Sequence, residues 1–124
     1  MPRYNEADFD PPAPVAWVIL RDPGTGATLG GVPMLLDTGA DVTLVPRSSI
    51  AELEMTPTDT VDYELIGFGG QHSSAQALYL EMRWENRTFR GLFLIVDQAW
   101  GILGRNVLNT INIALDGPNL TWTI

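Results

Sequence analysis

The 124-residue chain contains no cysteine, no lysine and a single histidine. Without cysteine there are no disulfides, no thiolate metal sites and no cysteine nucleophile. With His72 as its only histidine, one chain cannot build a multi-histidine zinc site, nor a serine–histidine triad that omits that residue. All seven basic residues are arginine, against fifteen Asp and Glu, for a net charge of −8 and a pI near 4.3. An acidic chain with no run of basic residues lacks the electrostatic footprint of a nucleic-acid or anionic-lipid binder. No apolar run reaches the length of a membrane span, and the N-terminus lacks the basic-then-apolar order of a secretory signal. These absences predict a soluble cytoplasmic protein with no nucleic-acid partner and no membrane contact.

What is present is ordinary for one globular domain: 45% hydrophobic and 18% charged residues. Residues 1–14, "MPRYNEADFDPPAP", are acidic and proline-rich and read as a flexible arm, with the folded domain over 15–124. In that domain "VAWVIL", "LGGVPMLLDTG" and "VTLVP" read as strands, the first two separated by the turn "RDPGTGAT". Pro33 argues against the middle of a sheet at its position. "RSSIAEL" reads as a short helical turn capped by serine. "DYELIGFGGQHSSAQALYLEMRW" reads as two strands joined at the glycine-rich tip, and "FRGLFLIV" as a buried strand. After Gly104 the residues Val107, Leu108 and Ile111 have helical spacing, and "LTWTI" alternates as a strand with one buried face. Many short strands with one late helix predict an all-β barrel or sandwich.

Three features bear on chemistry. Asp37 sits in "LLDTGAD", at the end of an apolar run where a carboxylate is costly unless it is hydrogen-bonded, protonated or useful. Taken alone, Asp-Thr-Gly also suits an ordinary tight turn. "IGFGG" (66–70) equally suits a hairpin tip, and "ILGRN" (102–106) a strand-to-helix junction. Their order is more specific. An apolar strand ending in Asp-Thr-Gly-Ala, then a glycine-rich hairpin, then "ILGRN" with a helix and a terminal strand resembles the retropepsins. These are the single-domain aspartic proteases of retroviruses and their relatives, and the resemblance runs from about Val15 to Ile124.

The resemblance implies a closed β-barrel-like acid-protease fold with one short C-terminal helix, working as a homodimer with a shared active site. It also implies an aspartic endopeptidase acting on extended polypeptide, without metal or cofactor. Asp37, Thr38 and Gly39 match the catalytic triplet, and each of two chains would supply one Asp37. Thr38 matches the residue whose hydroxyl crosses between the two loops. Gly39 matches the position where backbone approaches substrate. Asp41 and Arg105 match a pair that braces the active-site loop, though a surface ion pair is the simpler reading of the residues themselves. Gly67, Phe68 and Gly69 fall in the flap that closes over substrate.

Ala40, Asp41, Val42, Leu44, Ile66, Trp100 and Ile102 fall where the family contacts substrate. Trp100 is larger than the aliphatic residue anticipated there, and a tryptophan packed under the sheet is an equal reading of it. His72 reads as a solvated hairpin residue. The terminal "LTWTI" strand is expected to offer an open edge to a second chain. Two other functions fit the residues less fully: a dimeric peptide-binding module of the same fold with little proteolytic activity, and an unrelated β-barrel in which Asp-Thr-Gly is only a turn.

Overall fold

The computed structural model describes residues 2–56, 63–66 and 69–124. Two nine-residue strands, β2 (Ala13–Arg21) and β3 (Thr28–Leu36), run antiparallel after a two-residue β1 (Tyr4–Asn5). Their turn is built by Asp22, whose carboxylate accepts the Gly24 N–H at 2.8 Å and the Thr25 hydroxyl at 3.1 Å. Along β2 the pleat sends Ala16, Val18 and Leu20 inward and leaves Trp17 and Ile19 outside. The same alternation recurs in β7 (Ala77–Trp84), where Leu78, Leu80, Met82 and Trp84 are buried and Tyr79 and Arg83 are exposed.

β8 (Arg87–Val96) returns antiparallel to β7 through a turn at Glu85, which takes a left-handed φ of 53°. The short β9 (Gly101–Leu103) lies between β3 and β4 (Leu44–Pro46), parallel to the first and antiparallel to the second. β4 in turn runs parallel to β8, and β2 pairs with β7. The ring β2-β3-β9-β4-β8-β7 therefore closes on itself. This is the closed all-β barrel anticipated from the sequence. Pro33 is tolerated inside β3 because β9 joins that strand only from Met34 onward, so on the β9 side Pro33 has no pairing to lose.

Two short helices interrupt the strands: α1 (Arg47–Glu52) and α2 (Arg105–Leu108). Pro46 occupies the N-cap of α1 and no side chain caps it, so the serine cap is not formed; Ser49 is buried within the helix instead. α2 buries Val107 and Leu108, as their spacing suggested. A separate hairpin pairs β5 (Tyr63–Ile66) with β6 (His72–Ala75), in register Ile66 to His72. The long second strand expected there breaks at Gln76, whose carbonyl accepts the Ile95 N–H at 2.9 Å.

The chain ends differ most from expectation. β10 (Ala114–Asp116) and β11 (Thr121–Thr123) form a hairpin across "GPNL", and β10 has no counterpart in the sequence reading. The indole of Trp122 is 1% exposed, packs 5.8 Å from Trp84 and donates Nε1–H to the Val15 carbonyl at 2.9 Å. Thr121 is also buried, whereas Ile124 is exposed, so β11 does not divide into one buried and one open face.

Nor is its edge open. The Tyr4 N–H donates to the Leu120 carbonyl at 2.8 Å and the Trp122 N–H to Pro2 at 3.0 Å, with Arg3 bridged to Thr121. β1 also pairs with β2 through Tyr4–Pro14 and Asn5–Ala13. Part of the segment read as a flexible arm thus lies as a strap between the barrel and β11.

Candidate active site

Asp37 leaves β3 at the point where that strand still pairs with β9: its N–H donates to the Leu103 carbonyl at 3.1 Å. The chain then turns sharply, and the Ala40 N–H returns to the Asp37 carbonyl at 3.2 Å. Within the turn, Asp37 Oδ1 accepts the Gly39 N–H at 2.9 Å. This carboxylate is half-buried and hydrogen-bonded by its own loop, which offsets the cost of ending a greasy strand on a charge. A β-carbon at Gly39 would stand 3.1 Å from that same Oδ1, so glycine keeps the carboxylate uncrowded.

The "ILGRN" segment holds this turn from behind. The Arg105 N–H donates to the Ala40 carbonyl at 2.8 Å, and Arg105 Nη1 donates to the Thr38 carbonyl at 2.8 Å. The guanidinium therefore braces the loop through its backbone. Among the described residues no ion pair joins Arg105 to Asp41. The expected brace is corrected on this point: the Thr38 carbonyl takes the guanidinium, and Asp41 is left exposed.

Thr43, buried at 2% exposure, accepts the Gly104 N–H at 3.1 Å and donates to Asn106 Oδ1 at 2.8 Å. Gly104 is required here, because a β-carbon would lie 2.1 Å from the Val42 carbonyl oxygen. Thr43 and Asn106 were not singled out in the sequence. The available signal was a lone hydroxyl in the apolar run "VTLVP" and an amide following Arg105.

Val42, Leu44 and Ile102 do come together, in an apolar cluster with Ala75, Ala77 and Leu94. Leu65 of β5 packs against it, which places the hairpin's first strand over these residues. Ile66 is 69% exposed beyond that cluster. Gly67 and Phe68 lie outside the described residues; Gly69 has open space around it, and Gly70 takes a left-handed φ of 78°. His72 is exposed and pairs with Glu64 across the hairpin. Trp100 is set apart from the cluster, half-buried, with its ring 5.3 Å from Phe9 and 5.9 Å from Trp17. Among the described residues no three His, Cys, Asp or Glu side chains gather to hold a metal ion.

Comparison with known families decides the class. The description "Retroviral aspartyl protease" matches residues 21–116, which include the Asp37 turn, the hairpin and the Arg105 junction. The chain belongs to the retroviral aspartyl protease family. With that membership comes aspartic endopeptidase activity. Among solved structures, EIAV protease in complex with the inhibitor HBY-793 shares the fold with a TM-score of 0.53 and 20% identity. The match covers 86% of this chain and 91% of that one. No curated protein sequence matches the chain.

Proposed function

We propose that this aspartic protease cleaves extended polypeptides as a homodimer, with one Asp37 from each protomer at a shared twofold axis. The observation that carries this reading is the Asp37 turn. It holds one hydrogen-bonded carboxylate at a strand end, it is braced from Arg105, and Thr38 beside it is exposed. A single carboxylate cannot both activate water and protonate a carbonyl. Two facing copies can, because closely spaced carboxyls share one proton, as is established for aspartic protease dyads.

The ionised carboxylate takes a proton from water as the water oxygen attacks the peptide carbonyl carbon, while the protonated carboxyl gives its proton to the carbonyl oxygen. Collapse of the tetrahedral gem-diol breaks the C–N bond as the protonated carboxyl gives its proton to the amide nitrogen and the ionised one takes a proton from a gem-diol hydroxyl, leaving the dyad again with one proton. Thr38 links the two loops, and Gly39 and Ala40 present backbone to the substrate strand. Val42, Leu44 and Ile102 line a side-chain pocket beneath the β5–β6 flap. Arg105 is a positioning residue, acting through the Thr38 carbonyl.

Peptide-library cleavage with and without pepstatin, an inhibitor resembling the transition state, tests the activity; sedimentation tests the dimer. Asp37→Asn is expected to abolish cleavage and leave sedimentation unchanged. An Asp37→Asn chain that still cuts, or an active monomer, overturns the shared dyad. A dimer that binds pepstatin but cleaves no library peptide places the chain with peptide-binding modules instead.

A further inference from the structure

The arginines, scattered along the sequence, are gathered by the barrel. Arg21, Arg83 and Arg90 lie on the outer face of β2, β7 and β8, in cross-strand rows fixed by the pairings Ile19–Arg83–Thr88 and Arg21–Glu81–Arg90, and Arg87, opposite Trp84 at the start of β8, is exposed at the rim beside Arg83. Among the described residues only two carboxylates, Glu81 and Glu85, share that face, so it is a positive island on a chain of net charge −8. Glu81 is occupied by Arg90 at 3.0 Å and Arg21 at 3.1 Å. The Arg90 hydrogen bond, with Arg21 adding to it against a burial effect of opposite sign, holds the Glu81 carboxyl below its ordinary value of 4.5. Arg83 and Arg87 have no ion-pair partner among the described residues.

The same face carries four of the seven large apolar side chains that are exposed among the described residues: Trp17, Ile19, Tyr79 and Leu92. Tyr79 and Leu92 are cross-strand partners, and Trp17 is 61% exposed. Between the apolar and basic groups lies a cavity of about 410 Å³, lined by Trp17, Ile19, Arg83, Arg87 and Thr88, with Glu85 and Asn86 of the β7–β8 turn at its side. Tryptophan, tyrosine and arginine are the side chains most enriched at interaction hot spots. Clustered exposed apolar groups on a monomer mark such surfaces. Because the ring is closed, no strand edge is available here, and recognition must go through side chains.

We propose that this face is an exosite that docks an acidic, apolar-bearing segment of the polypeptide being cleaved. The proposal rests on the peptidase reading for the identity of its occupant. Two observations favour that occupant. Trp17 touches both the cavity and Trp100, so the island adjoins the start of β9, the strand that carries Ile102 of the Val42–Leu44 cluster. And the chain's own arm shows the chemistry: acidic at Glu6, Asp8 and Asp10, it runs beside Trp17 and seats Phe9 against Trp100. A polypeptide of like character continuing past that point meets unpaired guanidinium groups and exposed Ile19.

The test uses the full chain carrying Asp37→Asn, so that binding is read without cleavage. The probe is a fluorescein-labelled twelve-residue peptide alternating glutamate with leucine and tyrosine, and the control is its lysine-for-glutamate counterpart, both followed by anisotropy. The acidic peptide is expected to bind, more tightly at low salt. Arg83→Glu with Arg87→Glu is expected to weaken binding about tenfold or more, and Trp17→Ser to do so by a similar factor.

All three are exposed positions whose replacement leaves the fold intact, which thermal unfolding verifies. In the chain with native Asp37, the arginine pair substitution is expected to leave cleavage of a short unextended peptide unchanged. Equal binding of the lysine peptide, no loss on charge reversal, or equal competition by anionic vesicles overturns the exosite. Failure of the peptidase reading shows separately, as absent cleavage in the native chain.

Discussion

Replacing Gly104 by alanine is the sharpest test of how the barrel holds the Asp37 loop. The added β-carbon would stand 2.1 Å from the Val42 carbonyl oxygen and 2.5 Å from its carbon. Ordinary C···O contacts lie near 3.3 Å, so the two segments must separate by about 1.2 Å. The obstruction is backbone on both sides, and no side-chain rotation relieves it. Overpacking of this kind costs about 1–3 kcal/mol or more, a large share of the roughly 5–15 kcal/mol that stabilises a domain.

The displaced groups are those that position Asp37: Gly104 donates to Thr43, and the next residue holds the Thr38 and Ala40 carbonyls. A shift near 1 Å at a catalytic group can lower turnover about a hundredfold. Gly39→Ala is the matched contrast, since its β-carbon meets Asp37 Oδ1 at 3.1 Å and the carboxylate need yield only slightly. Urea denaturation and peptide cleavage on both variants are expected to show Gly104→Ala losing stability and kcat/KM together, and Gly39→Ala losing kcat/KM with stability nearly kept. A Gly104→Ala chain with native midpoint and native activity would refute the reasoning.

Cleavage by a dyad that holds one proton falls when the pair gains a second and again when it loses the first, so the rate should be bell-shaped in pH with its optimum on the acid side of neutral. A rate still rising above pH 8 counts against it. The Glu81 carboxyl is held below 4.5 in the folded chain, so its stabilising effect is present above that pH and fades as pH falls through the folded value. The stability gap between the native chain and Glu81→Gln should therefore shrink below about pH 4.5, and a gap constant in urea titrations down to pH 2 would contradict this. Phe9→Ala removes the edge contact on Trp100, worth about 0.5–1.5 kcal/mol. It should lower the urea midpoint, and an unchanged midpoint would show that the Phe9 contact adds nothing to the stability of the barrel.

The parts of the fold legible in the sequence were the long apolar, β-rich runs. β2 and β7 form where such runs were read; their burial alternates from Ala16 to Leu20 and from Leu78 to Trp84, with Val15 and Ala77 buried as well. The Asp37 loop was legible because its chemistry is local: Asp37, Gly39 and Ala40 satisfy one another within four residues. What escaped was held by distant partners. β1 is two residues long and exists because Tyr4 and Asn5 meet β2 while Tyr4 meets Leu120. β10 is "ALD", a triplet with no strand pattern of its own, and only β11 makes it one. Arg105 was placed correctly at the loop but with the wrong partner, since spacing alone does not distinguish a carboxylate from the nearby Thr38 carbonyl. Trp100 read equally as pocket or core; the structure packs it, half-buried, between Phe9 and Trp17.

The covered edge of β11 bears on how the proposed dimer would form. An alternating apolar strand at the end of the domain suggested pairing through β11 itself. Within one protomer, however, β10 takes one side of that strand and residues 2–4 take the other. Removing β11 would also strip Trp122 from the core, at a cost of about 3–5 kcal/mol for the loss of a buried aromatic. Truncation there would confound folding with assembly.

β10 is different. Among the described residues it pairs only with β11, and its Leu115 is 57% exposed. Two such edges meeting antiparallel about a twofold axis would build the four-strand order β11-β10-β10-β11 and cover both leucines. Leu115→Asp sets a charge in that seam without touching Trp122 or the Asp37 loop. The expected result by sedimentation is a folded monomer, and because each monomer holds one Asp37, peptide cleavage should disappear with the dimer. A Leu115→Asp chain that remains dimeric and active would move the contact away from β10, and a folded, active monomer would remove the need for a second chain altogether.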